Sequence, residues 1–407
     1  MRKFYPLGLL LLLLNFSSQL FAQTPAYNNR LLVVGGGGAR GAWAAGFAKN
    51  LSTKYGPYRT VYGTSTGSLM APLIVLNHFD ALKTAYTSVT QRSIFNVNPF
   101  NPKTGNIKAL PAIFRLIIGK NTLGESKNLR KLINQFVSAE QYSSIRNSPE
   151  KLSFTVTVVD LTTGKTEYKS SQNITDSEQM KDWMWASANQ PLFMSYYPRK
   201  GKSVYVDGGV LEPVPLTEAL RYALKDKTIN DIDVIINQPI TPLLDTVFED
   251  RGVLKSLNRL VSVWLTEIRD NDTLISQLIA LAVNNQITEQ MLMALNKNNL
   301  VTPALPDSDD INIHLHYFPP NLYTPENQKE LLFDKQRMLQ MWQAGESGQE
   351  DPNPKFNIDS FLNPRMLNEN TTLLNFGNLK QADQPITLPR TLVERFLNNL
   401  NKVLITP

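Results

Sequence analysis

Cysteine is absent from this 407-residue chain, and histidine occurs only three times, as His78, His314 and His316. Without cysteine there are no disulfides, no thiol nucleophile, no cysteine-rich zinc site and no lipid-bearing N-terminal cysteine. So few histidines leave little choice of imidazole base for any catalytic serine. Acidic side chains are also missing from the start of the chain, the first being Asp80. Beyond residue 22 no apolar run approaches the roughly 20 residues that a membrane-spanning helix needs. There is no internal repeat, and the formal net charge of +6 is spread without a long basic run, which gives no indication of a nucleic-acid partner.

What is present begins with a leader. Arg2 and Lys3 precede the run Leu7-Gly-Leu-Leu-Leu-Leu-Leu-Leu14, followed by a polar shoulder and Leu20-Phe21-Ala22. This is the pattern of a secretory signal peptide with cleavage after Ala22. Its removal takes away two positive charges, so the net charge falls from +6 to +4. A mature protein without cysteine fits a bacterial periplasm, or secretion, better than a disulfide-stapled extracellular module.

Two glycine-rich turns follow. Leu31-Leu-Val-Val-Gly-Gly-Gly-Gly-Ala-Arg-Gly41 reads as a strand, a tight turn and the start of an Ala-rich helix. Val61-Tyr-Gly-Thr-Ser-Thr-Gly-Ser-Leu69 repeats that plan and contains G-x-S-x-G, the nucleophile elbow that would lift Ser65 to the mouth of a sheet. The first turn, Gly36, Gly37, Gly38, Ala39, Arg40 and Gly41, also satisfies G-x-G-x-x-G. That dinucleotide fingerprint wants an acid about 20 residues later for the ribose, and none stands there. An NADP site built on Arg59 would leave the elbow unexplained. Bare N–H groups beside a serine suit instead the oxyanion formed when that serine attacks an ester.

Farther along, Leu152–Asp160 and Thr166–Ser170 read as a hairpin, and Ser203–Asp207 as a strand that delivers Asp207 ahead of two glycines. Ile232–Asn237 is a buried strand. Helices are expected at Asp80–Ser93, Lys127–Val137, Ala139–Arg146, Ser177–Asn189, Leu216–Leu224, 253–299, Gln328–Ala344 and Leu392–Leu400, with a half-exposed strand at Ile311–Tyr317. Residues 94–124 form an insertion whose apolar cluster (Phe95, Phe100, Ile113, Phe114, Leu116, Ile117, Ile118) is expected to pack in the core, ahead of lining an acyl pocket or touching a membrane. The stretch Gln349–Pro389 reads as loop. The organisation is thus a core at 29–240, a mainly helical continuation at 241–348 and a loop-rich segment at 349–407.

With these elements in place the chain resembles the patatin-like phospholipase family over about Arg30 to Asn237. Gly36–Gly41 is similar to the family's oxyanion loop, with the donors expected around Gly37, Gly38 and Ala39, Gly63-Thr-Ser-Thr-Gly67 to its elbow, and Asp207-Gly208-Gly209 to its catalytic turn. Ala186-Ser-Ala-Asn-Gln-Pro191 and Val159-Asp-Leu-Thr-Thr-Gly164 also match family segments. Gly35 departs from the Asp or Ser that many members carry there. The resemblance implies a three-layer α/β/α fold with a central, mostly parallel sheet and a helical C-terminal extension. It further implies a Ser65–Asp207 dyad, no cofactor and no metal, and a lipid or ester substrate that a membrane surface could present. Arg40 is expected to brace the loop by an ion pair. Two alternatives are an α/β-hydrolase triad of Ser65, Asp207 and His314 or His316, and an exported lipid-binding protein without turnover.

N-terminal sequencing of protein recovered from the periplasm or medium should begin at Gln23. Functional protein that still begins at Met1 contradicts the leader.

Overall fold

The computed structural model describes residues 26–102, 105–198, 201–239, 268, 272, 276, 311–324 and 329–351, and the strands Thr371–Leu374 and Ile386–Pro389. The expected leader, most of the 253–299 helix and the last helix lie outside these residues.

Five parallel strands carry the fold: β1 (Arg30–Val34), β2 (Thr60–Thr64), β3 (Ser153–Asp160), β6 (Asp231–Ile236) and β7 (Asn312–Tyr317). With the antiparallel edge strand β4 (Lys165–Ser170) they are ordered β4-β3-β2-β1-β6-β7. Every residue of β2 and β3 is buried, and four of the five in β1 are, as expected of strands covered on both faces. Leu32, Val34, Val61, Phe154 and Val156 point from one face into the main core, which Trp43, Phe47 and Trp342 complete. Tyr62, one residue out of phase, lies on the other face against Tyr222. The result is a mixed, mostly parallel sheet between helical layers.

On the first face run α1 (Gly41–Tyr55), α2 (Thr66–Val75), α3 (Phe79–Thr87) and α10 (Lys335–Glu346). The crossing of α1 and α10 is close enough to require glycine on both helices. A Cβ on Gly46 would lie 2.3 Å from the Trp342 carbonyl oxygen, and one on Gly345 2.2 Å from that of Trp43. The opposite face holds α9 (Leu216–Lys225). Between α3 and β3 lie α4 (Gln91–Ile94), α5 (Ala109–Ile117), α6 (Lys127–Phe136) and α7 (Ala139–Arg146), and α8 (Ser177–Ser187) precedes β5 (Tyr205–Asp207).

Several elements differ from the sequence reading. The helix expected over Asp80–Ser93 is two, because Thr90 and Ser93 form a capping box that starts α4 afresh. The helix expected from Gln328 starts at Lys335, where the Asp334 side chain accepts the Arg337 N–H. Residues 329–333 are left as a strap. Two strands, β8 (Thr371–Leu374) and β9 (Ile386–Pro389), pair antiparallel inside the stretch read as loop. The apolar cluster of the insertion splits: Phe95 and Phe100 are buried, whereas Ile113, Phe114, Leu116, Ile117 and Ile118 are exposed.

At the N-terminal end of the sheet Arg30 grips Asp233 with two bonds, of 2.6 and 2.7 Å, and the Tyr58 hydroxyl donates to the same carboxylate at 2.7 Å. His316 Nε2 stands 3.3 Å away. Burial alone would push the Asp233 carboxyl up, but the Arg30, His316 and Tyr58 bonds override it and hold it well below the usual carboxylate range. A lowered value means stability that is present above the unfolded value of about 4 and is lost as pH falls through the folded one. Asp233→Asn should therefore cost about 3–5 kcal/mol in urea unfolding at pH 7. That cost should shrink below about pH 4. An unchanged midpoint at pH 7 would show that the cluster does not tie β1, β6 and β7.

Candidate active site

Ser65 follows β2 and caps α2 with φ 54° and ψ −119°, a conformation that few residues other than glycine adopt. The turn is tight enough that its two flanking glycines admit no side chain. A Cβ on Gly63 would lie 2.4 Å from the Gly67 carbonyl carbon, and one on Gly67 2.1 Å from the Val34 carbonyl oxygen. Two serines hold the strained backbone. Ser187 Oγ of α8 accepts the Ser65 N–H at 3.0 Å, and Ser68 Oγ donates to the Ser65 carbonyl at 2.6 Å.

Asp207 reaches this point by a route that a purely parallel sheet would not provide. β2 pairs with β3 up to Thr64↔Thr157, and β5 pairs antiparallel with β3 from Val158↔Asp207. The two strands thus share one edge of β3 and meet end to end, one rung apart. Ser65 Oγ donates to Asp207 Oδ2 at 2.7 Å, and the Gly209 N–H donates to Oδ1 at 2.7 Å. Burial pushes the Asp207 carboxyl up to about 7, with the Ser65 and Gly209 bonds pulling it partly back. Asn189 accepts the Asp207 N–H at 3.0 Å through its carbonyl oxygen.

The glycine loop lies against this pair, a Cβ on Gly36 falling 3.3 Å from that of Ser65. Its N–H groups are unequally available. Gly36 donates to Pro213, Ala39 to Glu330 at 2.9 Å, Arg40 to Gly37, and Gly41 back into its own turn. Among the described residues the N–H groups of Gly37 and Gly38 have no partner. Of the donors expected within the Gly36–Gly41 loop, Gly37 and Gly38 are open and Ala39 is taken by Glu330. Arg40 is fully buried; its Nε donates to the Asn237 carbonyl at 2.6 Å and its Nη2 to Glu330 Oε1 at 2.5 Å. It clamps the strap over the loop, and the strap comes so close that only glycine fits position 38, where φ is 55°.

Residues 32–220 match the sequence model of a family described as patatin-like phospholipase. This region is a patatin-like phospholipase domain. Among solved structures the chain is similar to VipD from Legionella pneumophila, at 15% identity over 80% of this chain and 68% of that one, with a TM-score of 0.30. No curated protein matches it.

Two cavities meet at Ser65, Asp207, Gln190 and Glu330 of the patatin-like domain and its strap. The larger, about 870 Å³ including its open mouth, is walled by Leu69, Leu73, Leu129, Ile133, Phe136 and other apolar side chains. The smaller, about 360 Å³, is bounded by Gly36, Gly37, Gly209 and Pro213. No histidine lines either. His314 is bonded to Asp231, His316 to Asp233 and Glu350, and His78 stands beside Gln141.

Sequence reasoning passed over four residues that shape the site. Ser187 and Asn189 were within sight, inside the Ala186–Pro191 segment, with nothing local to say what they bond. Asn237, which donates to the Gly35 carbonyl at 2.9 Å, and Glu330 lie beyond the last motif, Asp207-Gly208-Gly209, with nothing local to single them out.

A raised folded value means that ionised Asp207 weighs against folding. Any stability it contributes is present below the unfolded value of about 4 and lost as pH rises to about 7. Asp207→Asn should therefore be more stable to urea than the parent at pH 8, by on the order of a few kcal/mol, with the gap closing toward pH 4. A variant less stable at pH 8 would contradict the buried, raised carboxyl.

Proposed function

We propose that this protein is a lipid acyl hydrolase of the phospholipase A type, in which Ser65 is the nucleophile and Asp207 its base. Family membership implies the lipid hydrolase. The observation that carries the finer reading is the 2.7 Å bond from Ser65 Oγ to Asp207 Oδ2, at the junction of two cavities. Asp207 takes the hydroxyl proton as Oγ attacks the ester carbonyl, and the open N–H groups of Gly37 and Gly38 receive the oxyanion. Removing one such donor costs about 3–4 kcal/mol in comparable sites. The alcohol leaves with the proton, and a water that gives its proton to Asp207 then hydrolyses the Ser65 acyl ester. The apolar cavity suits the acyl chain and the smaller one the alcohol portion.

The histidine triad has no support in this geometry, because each histidine is bonded elsewhere. The leader read at residues 1–22 supports an exported enzyme, acting in the periplasm or outside the cell. A panel of acyl lipids with identification of the released products tests the activity and its substrate class.

The base assignment has its own test. Ser65→Ala should abolish turnover, and Asp207→Asn should lose on the order of 10³-fold or more. Replacing His78, His314 and His316 together should leave the rate within a small factor, provided that the protein remains folded. The rate should rise with pH through about 7, since only the carboxylate accepts the proton. A dead histidine-free protein beside a merely weakened Asp207→Asn would overturn the dyad.

A further inference from the structure

Helix α5 is built inside out. The positions Leu110, Ile113, Phe114 and Ile117 follow the i, i+3, i+4, i+7 spacing that normally faces a core. Here that stripe faces water: Leu110 is 82% exposed, Phe114 61% and Ile117 77%, and Leu116 and Ile118 extend the patch. Only Ala112 and Arg115 of this helix are buried. The inward anchor is thus a guanidinium, whose Nε donates to the Thr122 carbonyl at 2.8 Å and whose Nη2 meets Glu125 at 3.2 Å. Polar bonds hold the helix in place while its apolar side stays free, against the usual preference for burying such side chains.

The charge carried by the chain leading up to and through the patch has one sign. From Ala81 to Gly124 there is no Asp or Glu. With Arg115 neutralised by Glu125, Lys108 before the helix and Lys120 after it flank the apolar stripe. The insertion that carries the patch is also tied by a backbone bond to a segment next to the large cavity. The Leu123 N–H donates to the Leu192 carbonyl at 2.7 Å, and Leu192 is itself exposed between Gln190 and Met194, which line that cavity. None of the described helices is long and apolar enough to cross a membrane, so contact through α5 would be with a surface.

We propose that α5 is an interfacial helix that docks this protein onto a bilayer containing anionic lipid, its Leu110–Phe114–Ile117 stripe entering the acyl boundary and Lys108 and Lys120 pairing with headgroups. An apolar stripe bracketed by lysines, with the Glu125 carboxylate paired to Arg115 and Lys127, is complementary to such a surface and to few folded proteins. Docking there brings the insertion, and with it the Leu192 segment beside the cavity, to the bilayer. The proposal rests on the lipid hydrolase reading for its purpose, not for its test.

The absence of cysteine makes the test clean. Leu116→Cys in the exported protein, labelled with an environment-sensitive fluorophore, should shift to the blue on addition of phosphatidylcholine–phosphatidylglycerol vesicles. Co-sedimentation with the same vesicles should fall at least tenfold in Leu110→Ser/Phe114→Ser/Ile117→Ser, an exposed-surface variant. Lys108→Gln and Lys120→Gln should each weaken it about fivefold, the effect vanishing on pure phosphatidylcholine. The triple-serine variant should keep full activity on a soluble short-chain ester. Vesicle binding without any esterase activity would sink the catalytic reading and leave the docking intact. No blue shift, binding indifferent to the triple change, or a dimer that the triple change dissolves without any vesicle binding would each overturn the docking.

Discussion

A carboxyl group shut away from water, with a serine hydroxyl and a peptide N–H as its described partners, is the constraint around which this molecule is built. Ionised, Asp207 is poorly solvated and holds the Ser65 proton strongly; neutral, it is comfortable and inert. In the dyad proposed above, reactivity and ease of folding thus pull against each other at one side chain. The fold meets this by fixing both partners from behind. Gly63 and Gly67 press the elbow against β1, Ser187 holds the Ser65 N–H, and Asn189 holds that of Asp207. Strain at Ser65, on the order of 1–3 kcal/mol, persists because these contacts leave the turn no other path.

The second feature of the site is its dependence on chain that lies far away in sequence. Arg40 belongs to the glycine loop, yet it is bonded to Asn237 at the end of β6 and to Glu330 of the strap. The Glu330 carbonyl occupies the Ala39 N–H, and the Glu330 side chain sits where the two cavities join. The strap is in turn set by α10, which crosses α1 at paired glycines and so cannot shift without displacing the helix that follows the loop. The region beyond the family match is therefore part of the site, not an appendage to it.

Against this closely determined interior, α5 stands out as the one described helix whose apolar stripe is turned outward. Its inward residue, Arg115, bonds the Thr122 carbonyl and the Glu125 carboxylate. Once that polar anchor is in place, the periodicity dictates that the hydrophobic side must face solvent.

The amino-acid sequence by itself determined the local chemistry. Strand followed by glycine turn followed by helix, G-x-S-x-G at Ser65 and Asp-Gly-Gly at Asp207 depend on φ/ψ limits and close approaches that a few consecutive residues impose. The parallel sheet could likewise be expected from continuously apolar strands separated by helices. Tertiary structure decided what sequence periodicity cannot carry. Whether the apolar stripe of α5 faces a core or water depends on Arg115 finding Glu125, and a helical pattern has no sign for inside and outside. That β5 runs against β2 and meets it end to end is a matter of strand pairing at long range. So is the closing of the donors on either side of Gly37 and Gly38, because the N–H groups of Gly36 and Ala39 are claimed by Pro213 and Glu330. Those partners lie up to some 290 residues away, and hydrogen bonds across such separations leave no mark in local composition or spacing.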